Sequence, residues 1–475
     1  MNNTIGRHRS AWSVVTAMIA LLPCGGAVAD EIDAAYVQRF AEARLLLCFQ
    51  GKGSCLPYDA GVLHEAHARV PAIGKGQVVV AGNSSGSIPA AYFCCFGFSD
   101  AAVRHAEDRM LNGNRDAVRD MENPHSKLSK LSQGKRTEIP HDVLREYIGF
   151  ALGVANWREA GSIDAIVRQS TARPRFPVVI VACNKEVLAD AHPDDGSAAR
   201  GLKRIDLDTL TVSWRDEVFA FYQKHPEQFR RDHPHLKLGA TPRIGHAVTY
   251  FVDPSMYQLL QQIPADERQA DLRLMTDAAD VALAILASTS EPTYFDPVVE
   301  QQPAKLVTWG APGDLGNVQQ RTYYGGYIVS VPAQDVRRML PGVRVLGTGW
   351  RHNPMIARKL LANWLLADVE AVAQRAEWWI DLEANPNEEF QSHMGVRDLS
   401  SQQEFDFGQR RAAECFAGQA GLPVYAYPPR WATPAEHAIW PTQAVDAMLV
   451  KDGQGAERLN TMRGIGTLLS PDAKP

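Results

Sequence analysis

The stretch "QVVVAGNSSGSIPAAYF", residues 77–93, combines the pattern of a buried strand with a motif that can carry a catalytic serine. The run "VVVA" is apolar without alternation, as expected of a strand covered on both faces, and the residues after the motif favour a helix. Between them, Gly82, Ser84 and Gly86 form the spacing G-x-S-x-G. A nucleophile on a sharp strand-to-helix turn needs small neighbours, because the backbone is strained and the helix packs closely on the strand. The stretch therefore predicts Ser84 as a nucleophile, with Gly82 and Gly86 making its turn possible.

The start of the following helix fits this interpretation. Pro89 is tolerated there, because the N–H groups of a first helical turn have no partners within the helix. The backbone N–H of Ser85, at the helix N-terminus, would face a negative charge that develops on the substrate oxygen. A G-x-S-x-G spacing also occurs in glycine-rich turns that carry no chemistry, and that alternative stays open.

Apolar runs alternate with segments of helical periodicity along the chain. The runs, rich in Val, Ile and Leu, lie at residues 44–49, 77–81, 176–183, 304–309, 325–331 and 342–348. The clearest helical segments are 58–70, 88–98, 270–288 and 353–382. Strands that alternate with helices predict an α/β fold, with a mostly parallel central sheet between helical layers.

Two segments interrupt this alternation. Residues 110–140 and 185–245 are charged and rich in Asp, Arg, His and Pro, and we interpret them as insertions, either a cap over a site or solvated connections. The basic run at 126–136 could contact anionic lipid at a membrane surface or simply be a solvated loop. We expect one α/β domain over residues 30–350, followed by a helical C-terminal extension, 351–475, packed on it.

The chain opens with the pattern of a signal peptide, residues 1–29. Arg7 and Arg9 form a basic start, "AWSVVTAMIALL" is apolar but too short to span a bilayer, and "AVA" supplies small residues before Asp30. We therefore expect export, to the periplasm or as a secreted protein; a membrane anchor, a cytosolic N-terminus and lipidation at Cys24 are the alternatives. No later stretch reaches the roughly 18 apolar residues of a membrane span.

The charge of the chain argues against nucleic acid as a partner. The net charge is −5. Loss of the signal peptide would lower it to −7, because Arg7 and Arg9 are the only charged side chains removed. A protein that binds the phosphate backbone usually carries an excess of basic residues.

No pattern indicates a metal site. The chain has no C-x-x-C, and "HEAH", residues 64–67, has its histidines three positions apart instead of the four of a zinc-protease helix. The cysteines after the signal peptide are at positions 48, 55, 94, 95, 183 and 415. An exported protein can oxidise its thiols, but two of these lie inside apolar runs, so we expect at most one or two disulfides.

The order of the motifs resembles that of the patatin-like phospholipases. In that family a glycine loop follows the first strand, and the serine elbow follows the second. Here "CFQGKGSCLPYDAGVL", residues 48–63, supplies the loop, in which Gly51 and Gly53 match family glycines and "YDAGVL" matches the start of the helix. The α/β-hydrolase plan fits less well, because the elbow follows only the second strand and no H-G-G loop precedes it.

Two later segments extend the resemblance. "ASTSEPTYFDPV", residues 287–298, is similar to the family stretch A-S-x-x-x-P-x-x-F-x-P, and "YYGGYIVSVPA", residues 323–333, is similar to D-G-G-x-x-x-x-x-P. The matches come in family order and cover about residues 44–350. The resemblance implies a three-layer α/β/α domain and a lipid acyl hydrolase that works through an acyl-enzyme on Ser84, without a metal or cofactor. It also implies an oxyanion hole built from the loop of Gly51, Lys52 and Gly53 together with Ser85.

The chain departs from the family pattern at two chemically important positions. Lys52 replaces the middle glycine of the loop, which either damages the oxyanion hole or adds a cation to it, and Leu56 replaces the last glycine. Tyr324 stands where the family has the aspartate that acts as general base. A phenol with an ordinary pKa near 10 is a donor at neutral pH, and a positioned base is worth roughly 10²–10⁴ in rate.

Other residues are available as a substitute base. Asp314, in the glycine-flanked loop "GAPGDLGN", is the preferred candidate, because catalytic groups tend to collect in loops after strands. Asp335, Asp296 and a histidine from an insertion are further candidates, and an ordinary turn aspartate is the alternative interpretation of Asp314. Two functions therefore remain: an exported lipid or ester hydrolase, or a catalytically impaired protein of the same fold that binds a lipid or a protein.

Overall fold

The structure is a computed structural model. It describes residues 42–51, 53, 55–113, 140–183, 186–190, 203–206, 211–214, 224–225, 228, 243–245, 248–263, 270–290, 295–301, 306–307, 320–326, 336, 339–340, 342–349, 377–381, 400–417, 449–451 and 457–459. The predicted signal peptide and the basic run at 126–136 lie outside the described residues.

The strands of the described part fall into a large sheet and three small ones. They are β1 (Leu45–Phe49), β2 (Val78–Asn83), β3 (Val178–Cys183), β4 (Glu186–Asp190), β5 (Lys203–Asp206), β6 (Thr211–Trp214), β7 (Arg243–Gly245), β8 (Val248–Val252), β9 (Asp271–Leu274), β10 (Val298–Gln301), β11 (Leu306–Val307), β12 (Gln320–Tyr323), β13 (Arg344–Gly349), β14 (Trp378–Asp381), β15 (Leu449–Lys451) and β16 (Glu457–Leu459).

The helices of the described part range from one to four turns. They are α1 (Leu56–Arg69), α2 (Pro71–Gly74), α3 (Ser87–Phe96), α4 (Asp100–Asn112), α5 (Arg145–Ala151), α6 (Trp157–Ala160), α7 (Ile163–Gln169), α8 (Pro254–Leu260), α9 (Ala278–Thr289) and α10 (Ser401–Phe416). Short 3₁₀ turns, Ser84–Gly86 and His141–Leu144, precede α3 and α5.

The protein is an α/β fold around a mostly parallel sheet of eight strands, in the order β11-β9-β8-β3-β2-β1-β13-β14. Within it, β1 pairs in parallel with β2 and β13, β2 with β3, β13 with β14, and β8 with β9. Only β3–β8 and β9–β11 are antiparallel. Helices α1 and α3 make the β1-to-β2 and β2-to-β3 crossovers. Parallel neighbours bring their carboxyl ends to one edge, so the ends of β1 and β2 meet there.

Both faces of the central strands are covered. Every residue of β1, β2 and β3 is buried. Successive side chains of a strand point to opposite faces, so burial at every position requires packing on both. On one face, Phe49 stacks on Phe93 of α3 with ring centroids 6.4 Å apart, and Phe93 stacks on Phe98 at 4.3 Å. This explains why the strand sequences are apolar without alternation.

The C-terminal part contributes both a helix and a strand to this body. Helix α10 packs on α1, where Gly61 and Gly408 allow close approach: a side-chain carbon at either would collide with a backbone carbonyl of the other helix. Strand β14 pairs with β13 at the edge of the large sheet. Among the described residues of the predicted helical extension, α10 is a helix, whereas β14 is a strand that continues the large sheet past residue 350.

Two further features differ from the sequence-based expectation. The first residues of the predicted helix 270–288 form strand β9, and the helix proper begins after the N-cap Asp277. The segment 185–245, predicted as an insertion, contains β4, β5, β6 and β7, which form a separate antiparallel sheet between β3 and β8 of the chain. The run 325–331 begins with two residues outside any strand, and its remainder lies outside the described residues.

Candidate functional site

Ser84 sits at the carboxyl end of β2 in a strained backbone conformation. Its φ is 50°, and it is the only non-glycine residue with a positive φ among those the structure describes. A left-handed conformation at a residue with a β-carbon costs about 1–3 kcal/mol and is concentrated at functional sites. The serine itself is partly exposed, whereas the residues on either side of it are buried. The hydroxyl is therefore presented at the sheet edge on a sharp turn.

The two glycines of the motif allow this turn to pack. A side-chain carbon at Gly82 would collide with the carbonyl oxygen of Gly86, and one at Gly86 would collide with the carbonyl of Phe49 in β1. The turn between β2 and α3 is closed by Ser87, whose hydroxyl donates to the carbonyl oxygen of Ser84 at 2.6 Å. The spacing G-x-S-x-G is thus required by close backbone contacts on both sides of the serine.

Ser288, at the end of α9, makes a hydrogen bond to the backbone of the strained residue Ser84. Its hydroxyl oxygen accepts a hydrogen bond from the backbone N–H of Ser84 at 2.8 Å and donates to the carbonyl oxygen of Val181 at 2.6 Å. Ser288 is fully buried. Ser288 lies in the stretch 287–298 that resembles a family motif, but the sequence alone assigns it no role.

Asn83 connects the elbow to two other segments. Its side-chain oxygen accepts a hydrogen bond from the N–H of Gly51 at 2.8 Å, and its side-chain nitrogen donates to the carbonyl oxygen of Gly326 at 2.7 Å. The two partners fix the orientation of the Asn83 amide, because the N–H of Gly51 requires the oxygen and the carbonyl of Gly326 requires the nitrogen. Sequence reasoning missed this residue, although an amide at the end of an apolar strand, directly before the serine, was a signal.

The contact with Asn83 corrects the role predicted for Gly51. Its N–H is used by the Asn83 side chain, so it is not one of the donors aimed at an oxyanion. Gly51 instead permits close approach: a side-chain carbon there would lie 2.5 Å from Cβ and 3.2 Å from Oγ of Ser84. Gly53 has a φ of 60°, which glycine adopts without strain, and Lys52 lies outside the described residues. Ser85 is buried directly after the nucleophile.

The segment Tyr324–Gly326 is fixed beside the elbow by backbone hydrogen bonds. The N–H of Tyr324 donates to the carbonyl of Cys183 at 2.8 Å, and the N–H of Cys183 donates to the carbonyl of Gly325 at 2.6 Å. The N–H of Gly326 donates to the carbonyl of Ser288 at 2.7 Å. Tyr324 is buried. The segment with the predicted D-G-G resemblance therefore lies at the end of β3, next to the strand that carries Ser84.

A buried ionic cluster anchors the strand that leads into this segment. Arg273 of β9 contacts Asp280 at 2.9 Å and Glu300 at 2.6 Å, and the hydroxyl of Tyr323 donates to Glu300 at 2.8 Å. Burial alone would lower the pKa of Arg273, but the hydrogen bond to Glu300 and the charge of Asp280 raise it. Burial, followed by the charge of Glu300, raises the pKa of Tyr323. Both groups therefore keep their protons, and β12 is held against β10 and α9.

The proposed substitute bases are only partly within the described residues. Asp314, the preferred candidate, and Asp335 lie outside them. Asp296 is exposed, and its charge acts on His141. In the part of the chain that is described, the Ser84 hydroxyl has no hydrogen-bond partner. Hydrogen bonds of this kind can be long in the absence of substrate, so this geometry leaves the base unassigned.

His141 directly follows the predicted insertion 110–140 and begins the 3₁₀ turn before α5, close to this region. Its Nε2 is 3.0 Å from the hydroxyl of Ser290, two residues after Ser288, and its ring stacks on Phe295 with centroids 5.5 Å apart. Burial lowers the pKa of His141, although Asp296 opposes the shift. The imidazole is therefore mostly neutral near pH 7. Its hydrogen-bond partner is Ser290, so His141 is not assigned as the base of Ser84.

The described residues contain no group of three His, Cys, Asp or Glu side chains that could hold a metal ion. In "HEAH", the two histidines contact carboxylates of α4 instead, His64 with Glu107 and His67 with Asp100, each at 3.2 Å. The six cysteines in the described part are thiols, not disulfides. No helix among the described residues is long and apolar enough to cross a membrane.

Comparisons with known proteins add little to this geometry. No protein-family model and no curated protein matches the chain. Among solved structures, the crystal structure of VipD from Legionella pneumophila matches with 11% identity and a TM-score of 0.27, over 79% of this chain and 67% of that one. A likeness this weak carries no argument about function, so the candidate site rests on its own geometry.

Proposed function

We propose that this protein is a serine acyl hydrolase that cleaves the carboxylic ester of a phospholipid or a related lipid, with Ser84 as nucleophile. The observation that carries the proposal is the backbone of Ser84, with its φ of 50° at the end of a buried parallel strand. This strained backbone conformation costs free energy and presents the hydroxyl at the sheet edge. A serine with a purely structural role does not require such strain.

The proposed reaction follows the chemistry of an activated serine. Ser84 Oγ attacks the ester carbonyl carbon while a base takes its proton, and the tetrahedral oxyanion collapses to expel the alcohol and leave an acyl-enzyme. Water then attacks the acyl carbon, releasing the fatty acid and restoring the hydroxyl. The N–H groups of Gly53 and Ser85 are the candidates for oxyanion donors, with Gly51 excluded by its bond to Asn83. This reaction needs no metal or organic cofactor.

The location and partners belong to the same proposal. The pattern of the first 29 residues supports export to the periplasm or beyond, and a lipid substrate would bring the protein into peripheral contact with a membrane. The acidic net charge of the chain supports a partner other than nucleic acid.

A second candidate function is a catalytically impaired protein of the same fold that binds a lipid or a protein. Two observations favour it: Tyr324 occupies the position of the family's aspartate, and the Ser84 hydroxyl has no hydrogen-bond partner within the described residues. The strained serine favours the hydrolase, since a binding pocket has no need of it.

A short-chain ester assay separates the two candidates. It compares the unsubstituted protein with the variants Ser84→Ala and Ser401→Ala. Ser401 lies in α10, away from the elbow, and serves as the matched serine control. Turnover that is lost in Ser84→Ala and kept in Ser401→Ala supports the hydrolase. Equal rates in all three proteins would contradict it and leave the binding function.

A further inference from the structure

A cleft lies at the opposite end of the sheet from Ser84. Helix α3 begins beside the elbow and ends at Phe96, about 15 Å away at 1.5 Å of rise per residue. The cleft has a volume of about 400 Å³. It is lined by the end of α3, the loop 152–156 and the segment 169–175, which leads into β3.

The charge in this cleft is uncompensated. Arg173 and Arg175 line it, and its lining contains no Asp or Glu. Both arginines are exposed, and in the described part of the chain neither guanidinium has an ion-pair or hydrogen-bond partner. Other arginines of the protein do find carboxylates, as Arg109 does with Glu146 at 3.0 Å. Two guanidinium groups that line one cleft, with no acidic residue among its described lining, indicate a site for an anion in a chain of net charge −5.

The backbone that carries the arginines is held in place. The N–H groups of Arg175 and Phe176 both donate to the carbonyl of Cys94, at 2.8 and 3.0 Å. The hydroxyl of Ser170 donates to the carbonyl of Leu152 at 2.8 Å and accepts from the N–H of Ala172 at 3.0 Å. A segment fixed at both ends loses less conformational entropy on binding than a mobile loop, so the cleft is largely formed before a ligand arrives.

We propose that this cleft binds a phosphate-bearing ligand. A phosphomonoester carries close to two negative charges and several acceptor oxygens, which match two planar guanidinium groups. Thr171 and Asn156 add polar groups to the lining, and Phe96, 39% exposed, gives the organic part of the ligand an apolar surface. The phosphate can come from a soluble phosphomonoester or from a lipid headgroup. This site is separate from the elbow and does not depend on the function proposed for Ser84.

The test measures binding by the full chain in two arms at one fixed ionic strength. Calorimetric titration with glycerol 3-phosphate tests the soluble source, and co-sedimentation with phosphatidylcholine vesicles, with and without phosphatidic acid, tests the lipid source. The variants are Arg173→Gln/Arg175→Gln and Thr171→Trp, which fills the cleft while keeping both charges. The control is Arg104→Gln/Arg168→Gln, which removes two exposed arginines that do not line the cleft.

We expect binding in at least one arm. In that arm, the paired arginine substitution weakens binding about tenfold or more, because charge-assisted hydrogen bonds are lost, and Thr171→Trp weakens it similarly. The control changes it less than about twofold. Binding of glycerol 3-phosphate identifies a soluble ligand, and binding only to vesicles with phosphatidic acid identifies a lipid. Absence of binding in both arms, equal weakening by the control, or unchanged binding in Thr171→Trp overturns the proposal.

Discussion

The hydroxyl oxygen of Ser288 accepts a hydrogen bond from the backbone N–H of Ser84 at 2.8 Å. The contact joins the end of α9 to the residue with the strained backbone. The Ser288 hydroxyl in turn donates a hydrogen bond to the carbonyl of Val181 in β3. One buried side chain therefore ties the turn of the elbow to the neighbouring strand.

Ser288→Ala removes this support and should slow the reaction of Ser84 with a fluorophosphonate probe. The N–H of Ser84 loses its acceptor, and we expect the unfolding free energy to fall by about 1–3 kcal/mol. A small displacement of a nucleophile can cost about 10²-fold in rate, so labelling should slow about 10- to 100-fold. Labelling rates and urea denaturation measure the two effects. Thr289→Val is the matched control, because among the described residues that buried hydroxyl donates to carbonyls of its own helix. Equal slowing in both variants would argue against the role of Ser288.

Asn83→Ala should uncouple the glycine loop from the elbow. The substitution leaves the partly buried N–H of Gly51 and the buried carbonyl of Gly326 without their side-chain partner. Each buried unsatisfied group costs about 1–3 kcal/mol, so we expect a loss of about 2–5 kcal/mol in unfolding free energy by chemical denaturation. Asn112→Ala, whose exposed amide contacts only Asp108, should change stability by less than about 0.5 kcal/mol. A similar small change in Asn83→Ala would show that the bridge is unimportant.

Tyr324→Asp tests whether the site lacks only its base. The backbone of this position is fixed to Cys183 at the end of β3, so a carboxylate introduced there would enter next to the strand of the elbow. A positioned base is worth about 10²–10⁴ in rate, and we expect ester turnover by Tyr324→Asp to exceed that of Tyr324→Asn by about 10² or more. Tyr324→Asn is the control, because asparagine is nearly the same size as aspartate but cannot act as a base. If the two variants turn over ester equally, the absence of a carboxylate at position 324 is not what limits the serine.

Asp253 should make stability depend on pH with a predictable sign. Its carboxylate is fully buried and accepts hydrogen bonds from the N–H groups of Val178 and Ser255, at 2.7 and 2.8 Å. Burial raises its pKa from 3.8 to about 6, although these hydrogen bonds oppose the shift. The folded state thus binds the proton more tightly than the unfolded chain. The resulting stabilisation is fully present below about pH 4 and is lost as pH rises through about 6.

The expected size of this effect is about 3 kcal/mol, from about 1.4 kcal/mol per pKa unit. Between pH 7 and pH 4, the unfolding free energy of the protein should increase relative to that of Asp253→Asn by about this amount in urea denaturation. Asp277→Asn is the control: it removes the charge of an exposed N-cap carboxylate and keeps a side-chain oxygen that can cap the helix. A constant difference between the protein and Asp253→Asn across this range would contradict the assignment.

The sequence predicted the central strands well, because burial on both faces leaves an unbroken apolar run. The runs around Leu45, Val78 and Val178 are strands in the structure, and the turn at Ser84 follows directly. Strand β9 was hidden, because Asp271 and Arg273 are polar residues buried through ion pairs with Arg321 and Glu300, which no periodicity reveals. Strand β14 was read as the end of a helix because tryptophans fit both patterns.

The site was predictable as a set of segments but not as a set of contacts. The G-x-S-x-G spacing predicted Ser84, Gly82 and Gly86, because these residues lie close together in the sequence. The bridge through Asn83 spans 243 residues to Gly326, and the support from Ser288 spans 204 residues to Ser84. Such contacts depend on which strand ends lie side by side. A single sequence does not reveal the order of the strands in the sheet. The same reason explains why Gly51 was expected to donate to an oxyanion when its N–H is taken by Asn83.

The most direct test of the account is to identify the residue that a fluorophosphonate probe modifies. The protein is incubated with the probe, digested and analysed by mass spectrometry, with Ser84→Ala and Ser401→Ala treated in parallel. The account predicts one phosphonylated site, at Ser84, which is present in Ser401→Ala and absent from Ser84→Ala. Modification of another serine, or no modification of Ser84 under conditions that label an active serine hydrolase, would contradict the claim that Ser84 is an activated nucleophile.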